Sequence, residues 1–156
     1  MSTHPRRKKI LAISSGGGHF VELLRLRPAF HGHFVVYVTV SAAYRDQVRD
    51  APLRVVTDVT RWDGLGVLRA AAQIVSILLQ ERPDVVVSTG ALPGFLGILL
   101  GKRILGAKTI WVDSLANVDE LSMSGREARR HADLWLTQWP ELASEGGPKH
   151  LGSLLD

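Results

Sequence analysis

Three consecutive glycines, Gly16, Gly17 and Gly18, stand between an apolar run of the chain and His19. Glycine lets backbone amides approach a ligand closely, and the N-terminus of a following helix favours an anionic group. Histidine exchanges a proton near neutral pH, which suits general base catalysis. We interpret these glycines, together with Ser15, as a substrate-binding loop and His19 as a catalytic residue. The alternative is a tight strand-to-helix turn that His19 caps.

A second loop of small polar residues, with the sequence STGALPG, follows another apolar run. Its Ser88, Thr89 and Gly90 offer two hydroxyl groups and an accessible backbone to a substrate. In the usual strand order 3-2-1-4-5, the loops after the first and fourth strands face one another at the topological switch point, where ligands of such sheets bind. The sequence therefore predicts one crevice lined by both loops.

Neither of two familiar phosphate-binding motifs fits the first glycine loop. A P-loop requires lysine followed by serine or threonine after its glycines, and neither follows here. A dinucleotide fingerprint would need glycine where Val21 stands, and an acidic residue at the end of the second strand, where the chain reads VTVSAAY. NAD binding is therefore disfavoured, and we predict no cofactor.

Asp113 ends the fifth apolar run, at the edge of a parallel sheet where ligand-contacting residues lie. We predict that Asp113 accepts a proton from a substrate hydroxyl or orients His19, and that Ser114 and Asn117 contact substrate. Capping of the next helix, or bonding to loop amides, is an equally good interpretation. The chain has no cysteine, and its other histidines are not spaced with carboxylates as metal ligands, so no metal site is predicted.

Six apolar runs rich in valine and isoleucine have to position these loops. Their hydrophobicity is continuous rather than alternating, which is typical of strands covered by helices on both faces. They occupy residues 9–14, 34–40, 53–56, 84–89 and 108–113, with a sixth candidate at 134–138. Helices are predicted between them at 19–27, 42–49, 65–80, 94–105 and 125–131. The pattern predicts α/β architecture: a single doubly wound, Rossmann-like domain with a parallel sheet of five or six strands.

The length of 156 residues and the 46% hydrophobic content leave room for one domain. We predict a basic N-terminal tail over residues 1–9 and the domain over residues 10–156. The third predicted helix has few charges, so we expect it to be deeply packed. Its apolar positions are Leu65, Leu68, Ala72, Ile77 and Leu78.

The net charge of +4 has two interpretations: it attracts phosphate-bearing partners, or the charged side chains are simply solvated at the surface. No aromatic-rich basic motif is present, so we predict no nucleic-acid binding. The longest uncharged apolar stretch is too short to span a bilayer, and no cleaved signal is predicted. The helix within LPGFLGILLGKRILG is apolar nearly all round and is either buried or faces lipid. The candidate membrane-docking residues are Arg6, Arg7, Phe95, Leu96, Leu99, Lys102 and Arg103.

Three segments, SSGGGHFVELLRL, STGALPG and WVDSLANVDELSMSGREARRHADLWLTQWPEL, together resemble the Alg14 and PssD-type glycosyltransferase subunits. These subunits are similar to the N-terminal half of GT-B enzymes such as MurG. The resemblance covers nearly the whole chain and is most specific in the third segment. The family often has Glu-Ser-x-x-Arg after the fifth strand, where this chain has Asp113, Ser114 and Asn117.

The resemblance implies a two-component glycosyltransferase. This chain would bind a lipid-linked sugar acceptor and dock on the membrane, while a small partner subunit binds the UDP-sugar. It favours the lipid-facing interpretation of the apolar helix, and a location in the cytoplasm at the inner face of the cell membrane. Two alternatives stay open: a non-catalytic scaffold that recruits a soluble transferase to the membrane, and an isolated nucleotide-binding Rossmann module.

Overall fold

The computed structural model describes residues 5–156, which form six strands and four α-helices. The strands are β1 (Lys9–Ser14), β2 (Phe34–Thr39), β3 (Leu53–Val55), β4 (Val85–Gly90), β5 (Lys108–Val112) and β6 (Leu134–Leu136). The helices are α1 (Gly18–Arg25), α2 (Gly64–Glu81), α3 (Ala91–Leu105) and α4 (Met123–Ala128). Short 3-10 helices occupy Arg27–Phe30, Ala42–Val48 and Pro140–Leu142, the second of them where an α-helix was predicted.

The strands form one parallel sheet in the order β3-β2-β1-β4-β5-β6. The predicted fold class and strand order are therefore confirmed, with the sixth strand added beside β5. Because all strands run the same way, β1, β4 and β5 end at one edge of the sheet, which we call the carboxyl edge. The opposite edge, where the strands begin, is called the amino edge. The chain adds β2 and β3 on one side of β1 and then β4, β5 and β6 on the other, so the loops that follow β1 and β4 lie side by side at the carboxyl edge.

Helices cover both faces of the sheet, as continuous hydrophobicity in the strands predicts. In β1, Leu11 and Ile13 are fully buried in a cluster that includes residues of α2 and α3. Ile10 and Ala12 point to the other face and pack with Phe20 of α1. Adjacent residues of a strand face opposite sides, so a strand buried on both sides has to be apolar at every position.

Helix α2 is only half buried, which corrects the prediction of deep packing along its length. Ile77 and Leu78 lie in the core, whereas Leu65 is 83% exposed and Leu68 is 68% exposed. Ala72 is exposed as well. The exposed positions recur at helical spacing along the whole of α2, from Leu65 to Leu79, whereas Ala70 and Ile74 face the core, so one face of the helix is turned away from the sheet.

The N-terminal boundary also differs by one residue from the prediction. Lys9 is the first residue of β1, so the last residue of the predicted tail belongs to the sheet. Residues 1–4 of that tail lie outside the described part of the chain. No helix within residues 5–156 combines the length and the apolarity that crossing a bilayer requires.

Candidate active site

His19 lies in the first turn of α1 and is held by the loop that follows β4. Its Nδ1 is 3.2 Å from the carbonyl oxygen of Thr89. A carbonyl oxygen only accepts hydrogen bonds, so Nδ1 carries the proton and Nε2 has the free lone pair. The Thr89 hydroxyl donates in return to the His19 carbonyl at 2.6 Å. The two loops predicted to meet are therefore joined directly, and His19 presents an acceptor nitrogen.

Gly90 makes this contact sterically possible. A Cβ at this position would lie 2.3 Å from His19 Nδ1, well inside contact distance. The backbone at Gly90 has φ of 150°, and Ala91, which starts α3, has φ of 65°. Positive φ at an alanine is a strained conformation of the kind that concentrates at functional sites. The strand therefore turns directly into α3, and the imidazole occupies the space that the missing side chain leaves.

The glycine loop before α1 is fixed by an aromatic residue that sequence reasoning missed. The Gly17 amide donates to the Tyr44 hydroxyl at 2.6 Å, and Tyr44 packs on Phe20 with ring centroids 4.6 Å apart. Gly17 has φ of 65°, and a Cβ there would meet no atom within 4 Å. The first helical donor is the Phe20 amide, so the amides of Gly18 and His19 form the open end of the helix, where an anionic group is favoured.

A third loop, residues 114–117, joins this arrangement through Glu22 of α1. Glu22 is 7% exposed, and its Oε1 accepts hydrogen bonds from the Leu115 amide at 2.7 Å and from Gln138 Nε2 at 3.1 Å. Its Oε2 lies 4.0 Å from His19 Nδ1. In the sequence alone, Glu22 cannot be distinguished from an ordinary polar residue of an amphipathic helix. The signal available was its spacing of three residues from His19, which places both on one helix face.

Asp113 bonds to groups of the loop that follows it, as the structural interpretation of this residue expects. The predicted catalytic role does not fit these surroundings. It is 1% exposed and accepts four hydrogen bonds. The donors are Trp111 Nε1, Asn117 Nδ2, and the amide and hydroxyl of Ser122, at 3.0, 3.2, 3.0 and 2.6 Å. These occupy the acceptor positions of a carboxylate, so none is left for a substrate proton. Asp113 instead folds the segment between β5 and α4.

Most of the other predicted substrate-binding side chains are buried. Ser88 and Thr89 are fully buried, and Ser114 is 7% exposed. Their hydroxyls serve the backbone: Ser88 accepts from the Gly90 amide and Ser114 from the Ala116 amide, each at 3.2 Å. Among the predicted contacts, the loop Ser15 to Gly18 and Asn117 retain exposed surface. The hydroxyl groups of Ser88, Thr89 and Ser114 therefore bond to the backbone of the loops around His19, and their burial leaves them little access to a substrate.

The predicted membrane-docking residues do not form one surface. Leu96 is 7% exposed within the core of α3, and Phe95 and Leu99 are half-buried. Lys102 bonds to Asp133 at 2.6 Å and to the Ala107 carbonyl at 3.2 Å. Helix α3 is thus packed inside the protein, the other interpretation of its apolar composition.

The arginines among the predicted membrane-docking residues lie away from the loops that surround His19. Arg103, at the end of α3, is exposed, as are Arg6 and Arg7 before β1. Arg7 stacks over the Phe34 ring at 3.6 Å, at the amino edge. These arginines are therefore remote from the loops that surround His19.

A different exposed apolar surface lies at the carboxyl edge. Trp62 is 89% exposed, and it precedes α2, which carries the exposed Leu65 and Leu68. We call these three residues the α2 ridge. Arg61 connects the ridge to α4, because it bonds to Glu127 Oε1 at 3.0 Å and to the Ser124 hydroxyl at 3.3 Å. The ridge was missed because apolar residues at helical spacing are usually core residues.

Charged residues of both signs lie beside the ridge on the α4 side, where Glu127 pairs with Arg61 and Glu120 lies 3.5 Å from Arg126. Arg126 and Arg130 line a cavity of about 530 Å³ with Phe95, Met123 and His131. Burial, and then the nearby Arg103 and Arg130, lower the pKa of His131. Burial is the larger cause of the lowered pKa, and the positive charge of the two arginines adds to it.

Within residues 5–156, no group of three or more histidine, cysteine, aspartate or glutamate side chains is arranged to hold a metal ion. A cavity of about 720 Å³ opens at the amino edge, where His31, Phe34 and Tyr37 are among its lining residues. None of the predicted catalytic or substrate-binding residues lines that cavity.

The fold defines a class of protein domain, the Rossmann-like domain that MurG shares with UDP-N-acetylglucosamine 2-epimerases. MurG of Acinetobacter baumannii matches with a TM-score of 0.70 and 17% identity, over 91% of this chain and 47% of that chain. A UDP-N-acetylglucosamine 2-epimerase from Rickettsia bellii matches with a TM-score of 0.68 and 12% identity, over 96% and 46%. Such low identities establish the fold alone, and the chain spans less than half of either structure.

Sequence comparison identifies the family. The family described as "Oligosaccharide biosynthesis protein Alg14 like" matches residues 53–154, and the chain belongs to it. The UDP-N-acetylglucosamine transferase subunit ALG14 of Eremothecium gossypii is 31% identical over 169 residues, 87% of this chain and 75% of that protein. The mouse protein of that name is 36% identical over 91 residues, 51% of this chain and 39% of that protein. The resemblance predicted from the motifs is confirmed.

Proposed function

We propose that this chain is the acceptor-binding, membrane-associated subunit of a two-component glycosyltransferase, which transfers N-acetylglucosamine from its UDP conjugate to a lipid-linked acceptor. The names of the relatives support the donor and the existence of a second subunit. The likeness to one Rossmann-like domain of MurG agrees with a place on one side of a two-domain cleft. No further cofactor is part of the proposal.

His19 is the proposed general base, and the carrying observation is the 3.2 Å contact between its Nδ1 and the Thr89 carbonyl oxygen. As the acceptor oxygen bonds to the anomeric carbon of the sugar, the bond from that carbon to UDP breaks, and the acceptor proton moves to His19 Nε2. The Nδ1–H bond to the Thr89 carbonyl keeps Nε2 free for that proton and holds the ring in one orientation. The amides of Gly18 and His19 are available to a phosphate of the acceptor.

The α2 ridge is the proposed membrane contact. Tryptophan and leucine with neighbouring arginines is a combination suited to the lipid–water interface, where the rings and aliphatic chains enter the acyl region and the cations meet phosphates. The ridge lies at the carboxyl edge with His19, so a lipid-linked acceptor would reach the crevice without leaving the membrane. A peripheral position at the inner face of the cell membrane agrees with a chain that has no cysteine.

The test of this function is transfer by the reconstituted complex. The chain is co-expressed with its partner subunit, and radiolabelled UDP-N-acetylglucosamine is supplied with membrane lipid. We expect His19→Ala to lower turnover by about 100-fold or more, the scale of a lost general base. The matched control is His31→Ala, an exposed histidine at the amino edge, which should leave turnover unchanged.

The partner has to co-purify with the His19→Ala chain for the result to count as catalysis. Near-normal turnover of that complex would reject the base assignment and favour the scaffold alternative. Absence of any transfer by the unmodified complex, with every lipid fraction supplied, would reject the proposed function itself.

A further inference from the structure

Glu22 has one carboxylate oxygen with no hydrogen-bond partner, although that atom is buried. Its Oε1 is occupied by the Leu115 amide and by Gln138 Nε2. Its Oε2 has no partner. A buried polar atom of this kind costs stability unless another group compensates it. The imidazole of His19 lies beside it, with Nδ1 at 4.0 Å from Oε2.

We propose that Glu22 is a positioning residue for His19, a role that rests on the proposed function of His19 as the base. Its negative charge favours a proton on Nδ1, together with the Thr89 carbonyl, and so keeps the lone pair on Nε2. When His19 accepts the acceptor proton during transfer, the ring becomes a cation, and the buried carboxylate beside it stabilises that charge. Glu22 touches neither substrate nor donor in this account.

The hydrogen bonds of Glu22 make Glu22→Gln an unusually selective substitution. The Leu115 amide and Gln138 Nε2 are both donors, so they hold the remaining carbonyl oxygen of Gln at the Oε1 position. The new NH2 group then occupies the Oε2 position and faces His19 Nδ1 as a donor. The loop 114–117 keeps its anchor, while the group beside the imidazole changes from acceptor to donor. A purely structural role for Glu22 would survive this exchange.

The first experiment measures the tautomer of His19 in the isolated chain and needs no enzyme activity. Long-range proton–nitrogen NMR spectra are recorded at a pH where the ring is neutral. We expect the unmodified chain to carry the proton on Nδ1, and Glu22→Gln to move the tautomer population toward Nε2–H. Glu141→Gln, the same chemical change at an exposed site, should have no effect. An Nε2–H tautomer in the unmodified chain, or an unchanged tautomer in Glu22→Gln, would overturn the proposal.

The second experiment measures turnover of the complex with its partner. We expect Glu22→Gln to lower kcat about 10-fold or more, with the acceptor KM changed by less than about 3-fold, because the base loses its lone pair while the crevice keeps its shape. A variant with normal kcat and the shifted tautomer would overturn the catalytic consequence. Failure of His19→Ala to affect turnover is a different result: it rejects the base assignment, and the tautomer measurement still tests the contact itself.

Discussion

The groups around the His19 ring belong to two segments of the chain, the end of β4 and helix α1. The Thr89 carbonyl fixes one side of the ring, and Gly90 leaves room for it. Glu22 lies behind it and at the same time anchors Leu115. An imidazole on an exposed helix end would sample several rotamers. Here the end of β4 limits that freedom, so the position of the proposed base follows from the register of the sheet.

Gly90→Ala tests this dependence. The new Cβ would lie 2.3 Å from His19 Nδ1, so the ring has to move, and we expect turnover to fall by about 100-fold, as for His19→Ala. The positive φ adds an expected loss of stability of about 1–3 kcal/mol. Turnover of the complex and the free energy of unfolding in urea are the two measurements.

Gly32→Ala separates the two effects. Gly32 also has positive φ, at 82°, but a Cβ there meets no atom within 4 Å. It should lose stability and keep turnover. Equal turnover in both variants would show that the fit between Gly90 and His19 has no catalytic consequence.

For individual residues, the sequence was sufficient to predict the contacts that follow from strand order. His19 and Thr89 are 70 positions apart, and the parallel order alone brings their loops together. Tyr44 and Glu22 were not predicted, because their partners depend on side-chain reach across helices, which no local pattern encodes. Asp113 was misassigned for a related reason: its position at a strand end is the same for a catalytic acid and for a loop anchor. Only its four donors distinguish the two roles.

Helices α2 and α3 show that the apolar content of a helix does not by itself determine which of its residues are buried. Helix α3 is the most apolar in sequence and lies packed between β4 and α2, with Gly97 and Gly101 against Ile13 and Val86. Helix α2 is mixed and carries the exposed ridge. Strand positions were predictable within about two residues because continuous apolar runs have few other uses. The face that a helix exposes was not, since apolar residues occur on both the exposed and the buried face of α2.

The α2 ridge gives a prediction for membrane binding. Replacing Leu65 and Leu68 together by serine should weaken binding to vesicles containing phosphatidylglycerol about 10-fold or more, at about 1 kcal/mol for each leucine that enters the interface. Trp62 is 89% exposed, whereas Trp111 is fully buried and Trp135 and Trp139 are half-buried, so Trp62 should dominate a blue shift of tryptophan emission on binding.

Leu79→Ser is the matched control for the ridge. Leu79 is 47% exposed on the same helix, near its amino-edge end, and its loss should leave vesicle affinity unchanged. If Leu79→Ser weakened binding and the ridge variant did not, the membrane would contact the opposite end of the molecule.

The whole molecule corresponds to one side of a two-domain cleft. We expect the isolated chain to transfer no sugar and to show no measurable heat of binding with UDP-N-acetylglucosamine in calorimetry, because the proposed function assigns donor binding to a separate subunit. Addition of the partner should restore both signals. Sustained transfer by the purified chain alone would contradict the division of labour between acceptor and donor subunits.

Both outer strands of the sheet are short, and this limits how another protein can join it. β3 has three residues, and the outer side of β6 is bonded to Lys149, whose carbonyl accepts from Thr137 and whose amide donates to Trp135. Strand addition, in which a partner extends a sheet through main-chain bonds, needs a longer free edge than either strand offers. Recognition of a donor subunit then depends on side chains and loops. Main-chain hydrogen bonds between strands form with many partner sequences, whereas a surface of side chains binds only a partner with complementary side chains. Point substitutions in such a surface are then sufficient to prevent this chain from pairing with the donor subunit of a related enzyme.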